Sequence, residues 1–245
     1  MPIHDWKQVS AGDFHDFHQV WADQIRIQLN LGLLPAGYYA QVEQQANGII
    51  PDVLSLHYGG QGADEGGSED FGGALAVATA PPRVQFIAEV EKRVYAELNN
   101  RITIHHASDR RIVAIIELVS SGNKSSKGEL KRFLEKTVAA IEQGINLLIV
   151  DLQPPTRRDP QGIHGAIWSE LEDDEYRAPP GKPLTLVAYS AGQIPKAYIE
   201  PVAVGQRLTA MPLFLSESRY ITAPLEESYT ATFDSSPPHV RQALA

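Results

Sequence analysis

The hydrophobic pattern of the first third of the chain predicts one helix followed by two strands. Along residues 13–35, apolar side chains recur in steps of three and four, at Phe14, Phe17, Trp21, Ile25 and Leu29. This spacing is typical of an amphipathic helix, and we expect Asp13 to cap its start and Gly32 and Pro35 to end it. Residues 37–45, GYYAQVEQQ, alternate like a strand, and residues 48–58, GIIPDVLSLHY, predict another that Pro51 places at an edge or a break in pairing.

The middle of the chain predicts a parallel crossover. Three strands are expected at 84–91, 101–106 and 111–119. A helical stripe then ends at Gly144 and contains Leu130, Phe133, Leu134, Thr137, Val138 and Ile141. The apolar run INLLIVDL follows, as in a strand buried on both faces. A strand, a helix and a second strand in this order indicate two parallel strands joined by the helix.

The last third predicts a short helix, a hairpin and a mixed tail. The helix is expected in IHGAIWSELEDDEY, and the hairpin strands in LTLVAYSA and KAYIEPVAV. The tail contains extended apolar pieces and a last helix near Val240. Taken together, the elements predict one α/β (α+β) domain over residues 1–245, with a mixed central sheet flanked by helices. Residues 59–82 are rich in glycine and acids, so they predict a flexible surface insertion loop.

The amino-acid composition and the net charge of the chain exclude several classes of function. The 245 residues are 43% hydrophobic and 21% charged, as in a soluble globular protein. There is no cysteine, so a disulfide framework and a cysteine nucleophile are excluded. No apolar run reaches the roughly 18 residues of a membrane helix, and MPIHDWKQVS lacks a signal-peptide core. We therefore expect a cytoplasmic protein with no membrane partner. The net charge of −9 means that a nucleic-acid partner must meet a local basic patch.

Candidate chemistry begins with Glu117, a carboxylate inside the apolar strand VAIIELV. A buried charge is costly unless it is paired or bound to a cation. Asp52 lies at another strand position, and Glu43 lies on the preceding strand. Carboxylates are the ligands that Mg²⁺ prefers, and such an ion activates water and stabilises phosphate charge. The alternative is structural: Glu117 reaches solvent, or it pairs with one of the lysines that follow it.

Several segments resemble a known family. The segments PDVLSL, VAIIELVSSGNK and GINLLIVDL resemble the PD-(D/E)XK nuclease superfamily, and within it the branch of Uma-type restriction-endonuclease-like proteins. A closer resemblance, over nearly the whole chain, is to the bacterial domain-of-unknown-function family 4058. It includes FHDFH, LLPAGYYAQVEQ, IELVSSGNK, DPQGIHGAIW and AYIEPVAVG.

The resemblance implies a restriction-endonuclease-like core with extra strands, in which Asp52 and Glu117 face a Mg²⁺ or Mn²⁺ ion. The superfamily pattern has a lysine two positions after the glutamate, where this chain has Val119. In the Uma-type branch the lysine lies on the next helix, eight residues before a glycine, and Lys136 has this spacing to Gly144.

Two other lysines compete with Lys136. A helical wheel puts Lys136 away from the apolar stripe and Lys127 at its border. The spacing to Gly144 therefore favours Lys136, whereas the helical wheel favours Lys127. Lys124, in the GNK turn, is the second candidate. The catalytic set is therefore Asp52 and Glu117 with Lys136 or Lys124, and Glu43 is a further candidate metal ligand.

Histidine pairs offer a weaker indication of a metal. His15 and His18 lie three residues apart on the first predicted helix, which is a spacing that can start a zinc site. No third ligand follows at a motif spacing, so packing or hydrogen bonding is the favoured interpretation. His105 and His106 are adjacent on a strand and therefore face opposite sides of it.

Two functions remain open at this point. The first is a nuclease-like scaffold that is non-catalytic and binds a protein or a small ligand, which the missing E-x-K lysine and the acidic net charge favour. The second is a magnesium-dependent phosphodiesterase acting on nucleic acid, which the set of Asp52, Glu117 and a lysine favours.

Overall fold

The computed structural model describes residues 1–46, 98–172 and 175–245. Asp52, the strands expected at 48–58 and 84–91, and the insertion loop expected at 59–82 lie outside the described residues. The helices are α1 (Ala11–Gln28), α2 (Lys127–Glu142), α3 (Gly162–Leu171), α4 (Leu225–Ser235) and α5 (Pro238–Ala243). The strands are β1 (Tyr38–Ala46), β2 (Leu98–His106), β3 (Ile112–Leu118), β4 (Asn146–Asp151), β5 (Leu184–Ser190), β6 (Lys196–Val202), β7 (Met211–Ser216) and β8 (Arg219–Ala223).

The first six strands form one mixed sheet in the order β1-β2-β3-β4-β5-β6. The pair β3 and β4 is parallel, with Ala114 opposite Asn146, and α2 is the crossover between them. All other neighbours in this sheet are antiparallel, including the β5–β6 hairpin. The predicted fold class, a mixed central sheet flanked by helices, is therefore confirmed.

Two apolar layers cover the two faces of this sheet. On one face, α1, α4 and the β7–β8 hairpin pack against even-numbered residues of the central strands, such as Ile116 and Leu148. On the other face, α2 and α3 pack against odd-numbered residues, such as Ile115 and Ile149. The alternation arises because successive strand residues point to opposite faces. Glu117 is odd-numbered, and it therefore shares the face that α2 covers.

The first helix begins earlier than its apolar stripe predicts. Ser10, not Asp13, is the N-cap: its hydroxyl accepts from the Asp13 backbone N–H, and the Asp13 carboxylate accepts from the Ser10 N–H. This reciprocal capping box ties up two N–H groups that the first turn leaves without helical partners. After α1 a π-helical turn covers Leu29–Leu33. Gly32 within it has φ 126°, a conformation that L side chains rarely adopt, and helical structure ends next to it, as predicted.

The tail contains a second sheet and one helix that the sequence analysis did not identify. Strands β7 and β8 form an antiparallel pair, with Met211 opposite Ala223. Helix α4 follows directly, and its Tyr229 is fully buried against aromatic side chains of α1. Helix α5 is the helix expected near Val240. Across the described ranges, no helix combines the length and the apolar character required to cross a membrane.

Candidate functional site

A row of charged residues crosses three strands at one level of the sheet. The register places Glu43 of β1 opposite Arg101 of β2, and Arg101 opposite Glu117 of β3. The Arg101 guanidinium donates from Nε and Nη2 to Glu43 Oε2 at 2.9 and 2.7 Å. Side chains that face each other across strands lie on the same face and within reach of one another. Arg101 is thus held between two carboxylates, and neither sequence spacing nor local charge indicated it.

Helix α2 closes this row into a small pocket. The pocket encloses about 50 Å³ of space that water can reach, which is room for a few waters or for one ion with its waters. Its lining combines side chains of the sheet with one flank of α2: Arg101, Ile115, Glu117, Asn123, Glu129, Arg132, Phe133, Lys136, Thr137, Ala140 and Leu147. Glu117 and Lys136 therefore meet in one pocket, as the spacing of Lys136 to Gly144 suggested.

The position of Lys136 on α2 explains why its helical-wheel position and its spacing to Gly144 led to different predictions. Lys136 is solvent-exposed, as the helical wheel implies, and it still lines the pocket because it lies on the flank of α2 next to buried Phe133 and Thr137. Lys127 lies on the opposite flank, where it borders a separate open groove with Leu130 and Leu134. Of the two helix lysines that the wheel and the spacing single out, only Lys136 lines the pocket of Glu117.

Two cations next to Glu117 oppose the electrostatic cost of placing its carboxylate in a core strand. Glu117 is half-buried, and burial raises its pKa to about 7. The positive charges of Arg101 and Lys136 oppose that rise, while Glu43 adds to it. Glu117 is therefore an acid whose proton equilibrium lies near neutral pH, between two protein cations. Such a shifted carboxyl group in a pocket is a frequent feature of functional sites.

Lys124, the second lysine candidate, lies in a different environment. Its side chain is 2% exposed, and its Nζ lies 2.7 Å from Asp151 Oδ2 and 2.9 Å from Asp159 Oδ2. It also donates to the Gln153 carbonyl oxygen at 3.0 Å. Burial raises the pKa of Asp151, and Lys124 opposes this shift. The ammonium group is thus enclosed by two buried carboxylates, while its chain neighbour Asn123 lines the Glu117 pocket.

The Lys124 cluster fixes the loop between β4 and α3. Asp151 ends β4 and accepts from the Ile163 N–H at the start of α3. Asp159 accepts from the backbone N–H of Thr156 within the loop. Lys124 therefore connects the turn after β3 to the loop after β4, and this contact holds the floor of the pocket at Asn123. The sequence analysis selected neither residue, although Asp151 interrupts the apolar run INLLIVDL as Glu117 interrupts β3. Asp159 lies in a loop, where the sequence gives no local indication of burial.

The histidines take part in hydrogen bonds. His18 is buried, and its Nε2 lies 2.7 Å from the Leu118 carbonyl oxygen, which ties α1 to the strand of Glu117. His15 lies on the same helix and bonds to Gln19. Within the described residues, no three His, Cys, Asp or Glu side chains converge as a cage for a metal ion.

The described donors still fit a Mg²⁺ or Mn²⁺ ion held by few protein ligands. Mg²⁺ is commonly bound through one or two carboxylates, with waters and substrate phosphates completing its shell. Glu117 supplies one such carboxylate beside a pocket with room for the ion. Glu43 is already engaged by Arg101, and Asp52, the other predicted ligand, lies outside the described residues.

Comparison of this chain with models of protein families, with curated proteins and with solved structures found no match. The resemblance to family 4058 and to the PD-(D/E)XK superfamily therefore stays a prediction, and the function has to be argued from the pocket itself.

Proposed function

We propose that the protein is a magnesium-dependent phosphodiesterase that acts on nucleic acid at the Glu117 pocket. The observation that carries the proposal is the meeting of Glu117 and Lys136 in one pocket, on a strand–helix–strand crossover. A metal-facing carboxylate and a lysine are the groups that stabilise and neutralise a phosphoryl transition state. The ion, when bound, would activate a water molecule and neutralise negative charge on the scissile phosphate.

The residues of the chain itself have distinct tasks in this proposal. Glu117 provides a carboxylate that holds the ion, and Asp52, outside the described residues, stays the second ligand that the sequence predicts. Lys136 donates a hydrogen bond to a phosphate oxygen, because its long side chain extends from an exposed helix flank into the pocket. Arg132, exposed on the same helix, also lines the pocket and is paired with Glu129. With Arg101, these cations outnumber the two carboxylates of the lining, Glu117 and Glu129, so the lining has a small positive excess toward a polyanion.

The first experiment is calorimetric titration of Mg²⁺ and Mn²⁺ into the wild type and into the Glu117→Gln and Asp52→Asn variants. We expect binding by the wild type and loss of binding in both variants, because each substitution removes a charged oxygen ligand. The titration is repeated with a short DNA duplex present, since substrate phosphates complete the shell of such ions. Glu135→Gln, an exposed carboxylate of α2, is the matched control and should bind like the wild type.

The second experiment separates chemistry from metal binding. Lys136→Met should retain Mg²⁺ binding and lose cleavage of single-stranded and duplex DNA and RNA. Loss of one preorganised cation at a reacting phosphate is expected to slow cleavage by about 10²-fold or more. Lys131→Met changes the same residue type at an exposed position of the same helix, outside the pocket, and should leave cleavage unchanged.

The alternative is a non-catalytic module that binds a protein or a small ligand through the same scaffold. Arg101 favours it, because this guanidinium already compensates the charges of Glu43 and Glu117 without a metal ion. In that case neither ion binds, with or without DNA, and none of the nucleic acids is cleaved. This pair of results would exclude the phosphodiesterase.

A further inference from the structure

Strand β6 forms an outer edge of the central sheet. It is the last strand in the order and pairs with β5 through the register of Lys196 with Ser190. In the part of the chain that the structure describes, no other strand pairs with β6. Tyr198 is 44% exposed, and Ile199 is 36% exposed. An open edge with apolar side chains is a template on which another strand can pair.

The residues before and after Tyr198, in β6 and directly next to it, have matching or complementary chemistry. Residues at equal distances on its two sides form matched pairs: Ala197 with Ile199, Lys196 with Glu200, and Pro195 with Pro201. A two-fold axis through Tyr198 would bring each residue opposite its counterpart in a second copy, as in an isologous interface. The charged pair is decisive, because lysine in one copy then faces glutamate in the other.

We propose that this protein forms a homodimer in which β6 pairs antiparallel with β6 of a second copy, centred on Tyr198. The two central sheets then become one continuous sheet. The proposal does not depend on the chemistry of the Glu117 pocket, which lies at β2 and β3 and not at this edge.

The backbone of β6 fits this arrangement. Proline is tolerated in a paired strand where its nitrogen faces away from the neighbouring strand. Pro201 lies opposite Thr185 of β5, and because proline has no N–H to donate across this pair, we infer that its nitrogen faces outward. Backbone direction alternates along a strand, and therefore the N–H groups of Ala197 and Ile199 also face outward. In the symmetric register these two residues oppose each other, and each such pair exchanges both of its backbone hydrogen bonds.

The side chains of β6 fit the same register. Tyr198 lies on the sheet face of β7, with its ring centroid 5.0 Å from that of Phe214, and in the dimer it meets the same tyrosine of the second copy. Lysine and proline on an edge strand usually prevent pairing between molecules. In β6 the lysine is matched by Glu200, and the prolines flank the five-residue segment that pairs. These features admit one partner in one register.

The test is sedimentation velocity of the full chain over a concentration series, with light scattering for mass. The chain mass is 26.9 kDa. We expect the mass to rise toward twice that value with concentration, since an interface built on one strand pair is small and dissociates on dilution. A mass that stays at 26.9 kDa at every soluble concentration would overturn the proposal.

Charge exchange identifies the surface. Lys196→Glu places glutamates opposite each other twice per dimer, and Glu200→Lys does the same with lysines. Each should weaken dimerisation roughly tenfold or more. The double variant Lys196→Glu/Glu200→Lys recreates both opposite-charge pairs and should restore dimerisation. Lys131→Glu, an exposed lysine of α2, is the control and should dimerise like the wild type.

Each possible result of these measurements either supports or overturns the proposed β6–β6 dimer. Weakening by both single variants with restoration by the double variant supports the symmetric register. Dimerisation that none of the β6 variants changes would mean that another surface pairs. Weakening that the double variant fails to reverse would mean that Lys196 and Glu200 do not face each other. Either of the last two results would overturn the proposal.

Discussion

Replacing Lys124 by methionine is the substitution that most sharply separates a structural lysine from a catalytic one. Lys124 and its partners Asp151 and Asp159 are buried, with at most 2% of each side chain exposed. Methionine preserves most of the stem volume and removes the ammonium group. Two carboxylates are then left in the interior without their cation. Removing one partner of a buried ion pair costs about 3–5 kcal/mol of unfolding free energy.

Urea unfolding at neutral pH measures this cost directly. With a slope of about 3 kcal/mol per molar urea, the midpoint should fall by roughly 1–1.7 M. Lys131→Met, an exposed lysine of α2, should change stability by less than about 0.5 kcal/mol. The double variant Lys124→Met/Asp151→Asn should recover part of the loss, because one of the two unpaired charges is removed with the lysine.

The dependence on pH gives an independent check. Burial already holds the pKa of Asp151 above its ordinary value, and Lys124 opposes that shift. Without Lys124 the pKa of Asp151 rises further, so the folded variant retains its proton to a higher pH than the unfolded chain. The loss should therefore be largest at neutral pH and shrink as the pH falls and Asp151 protonates. A loss below about 1 kcal/mol at pH 7, or one equal at all pH values, would refute this account of the cluster.

Three further predictions concern stability. Burial raises the pKa of Glu117 from 4.5 to about 7, so its ionisation destabilises the fold increasingly as the pH rises from 4.5 to 7. The shift corresponds to about 3 kcal/mol, reduced to about 2 because the side chain is half-buried. In urea unfolding with EDTA, the unfolding free energy of Glu117→Gln should therefore exceed that of the wild type by about 2 kcal/mol at pH 8 and equal it at pH 4. An equal difference at both pH values would contradict the assigned pKa. Ser10→Ala removes the cap of α1 and should cost about 1 kcal/mol of unfolding free energy, whereas exposed Ser108→Ala should cost far less. Gly144→Ala should lower the thermal midpoint, at a cost of about 1 kcal/mol, because Gly144 has φ 75°; an unchanged midpoint would show that the backbone relaxes.

The order of elements was predictable where the hydrophobic period was long and regular. The apolar stripe from Leu130 to Ile141 predicted α2, because a helix with one buried face has apolar residues every three or four positions. The run INLLIVDL predicted β4, because a strand buried on both faces is continuously apolar. Helix α4 was within reach of the same reasoning. Leu225, Tyr229 and Phe233 are spaced by four and all buried, but they follow two short strands and Pro224, and the tail was interpreted as extended pieces.

The candidate site was predictable only in part, because its contacts depend on strand register. Glu117 stood out since a carboxylate interrupts an apolar strand, and the spacing to Gly144 pointed to Lys136. Arg101 gave no such indication. It reaches Glu117 because β2 and β3 pair with a register shift between Ile104 and His105, and a shift of one residue would turn the opposing side chains to different faces. Such a shift is set by the folded backbone and not by local composition.

The two lysine candidates illustrate how burial decides between similar residues. A lysine that stabilises a reacting phosphate needs an ammonium group that solvent and substrate can approach, and Lys136 has this on an exposed helix flank. Lys124 donates to Asp151 and to the Gln153 carbonyl oxygen, and its Nζ lies 2.9 Å from Asp159 Oδ2, so a phosphate would have to displace buried carboxylates to reach it. Separating those buried carboxylates from their cation costs about 3–5 kcal/mol, which is a large fraction of the stability of a typical domain. Lys124 therefore fixes the turn that contains Asn123, and Glu117 and Lys136 are the residues on which the proposed chemistry depends.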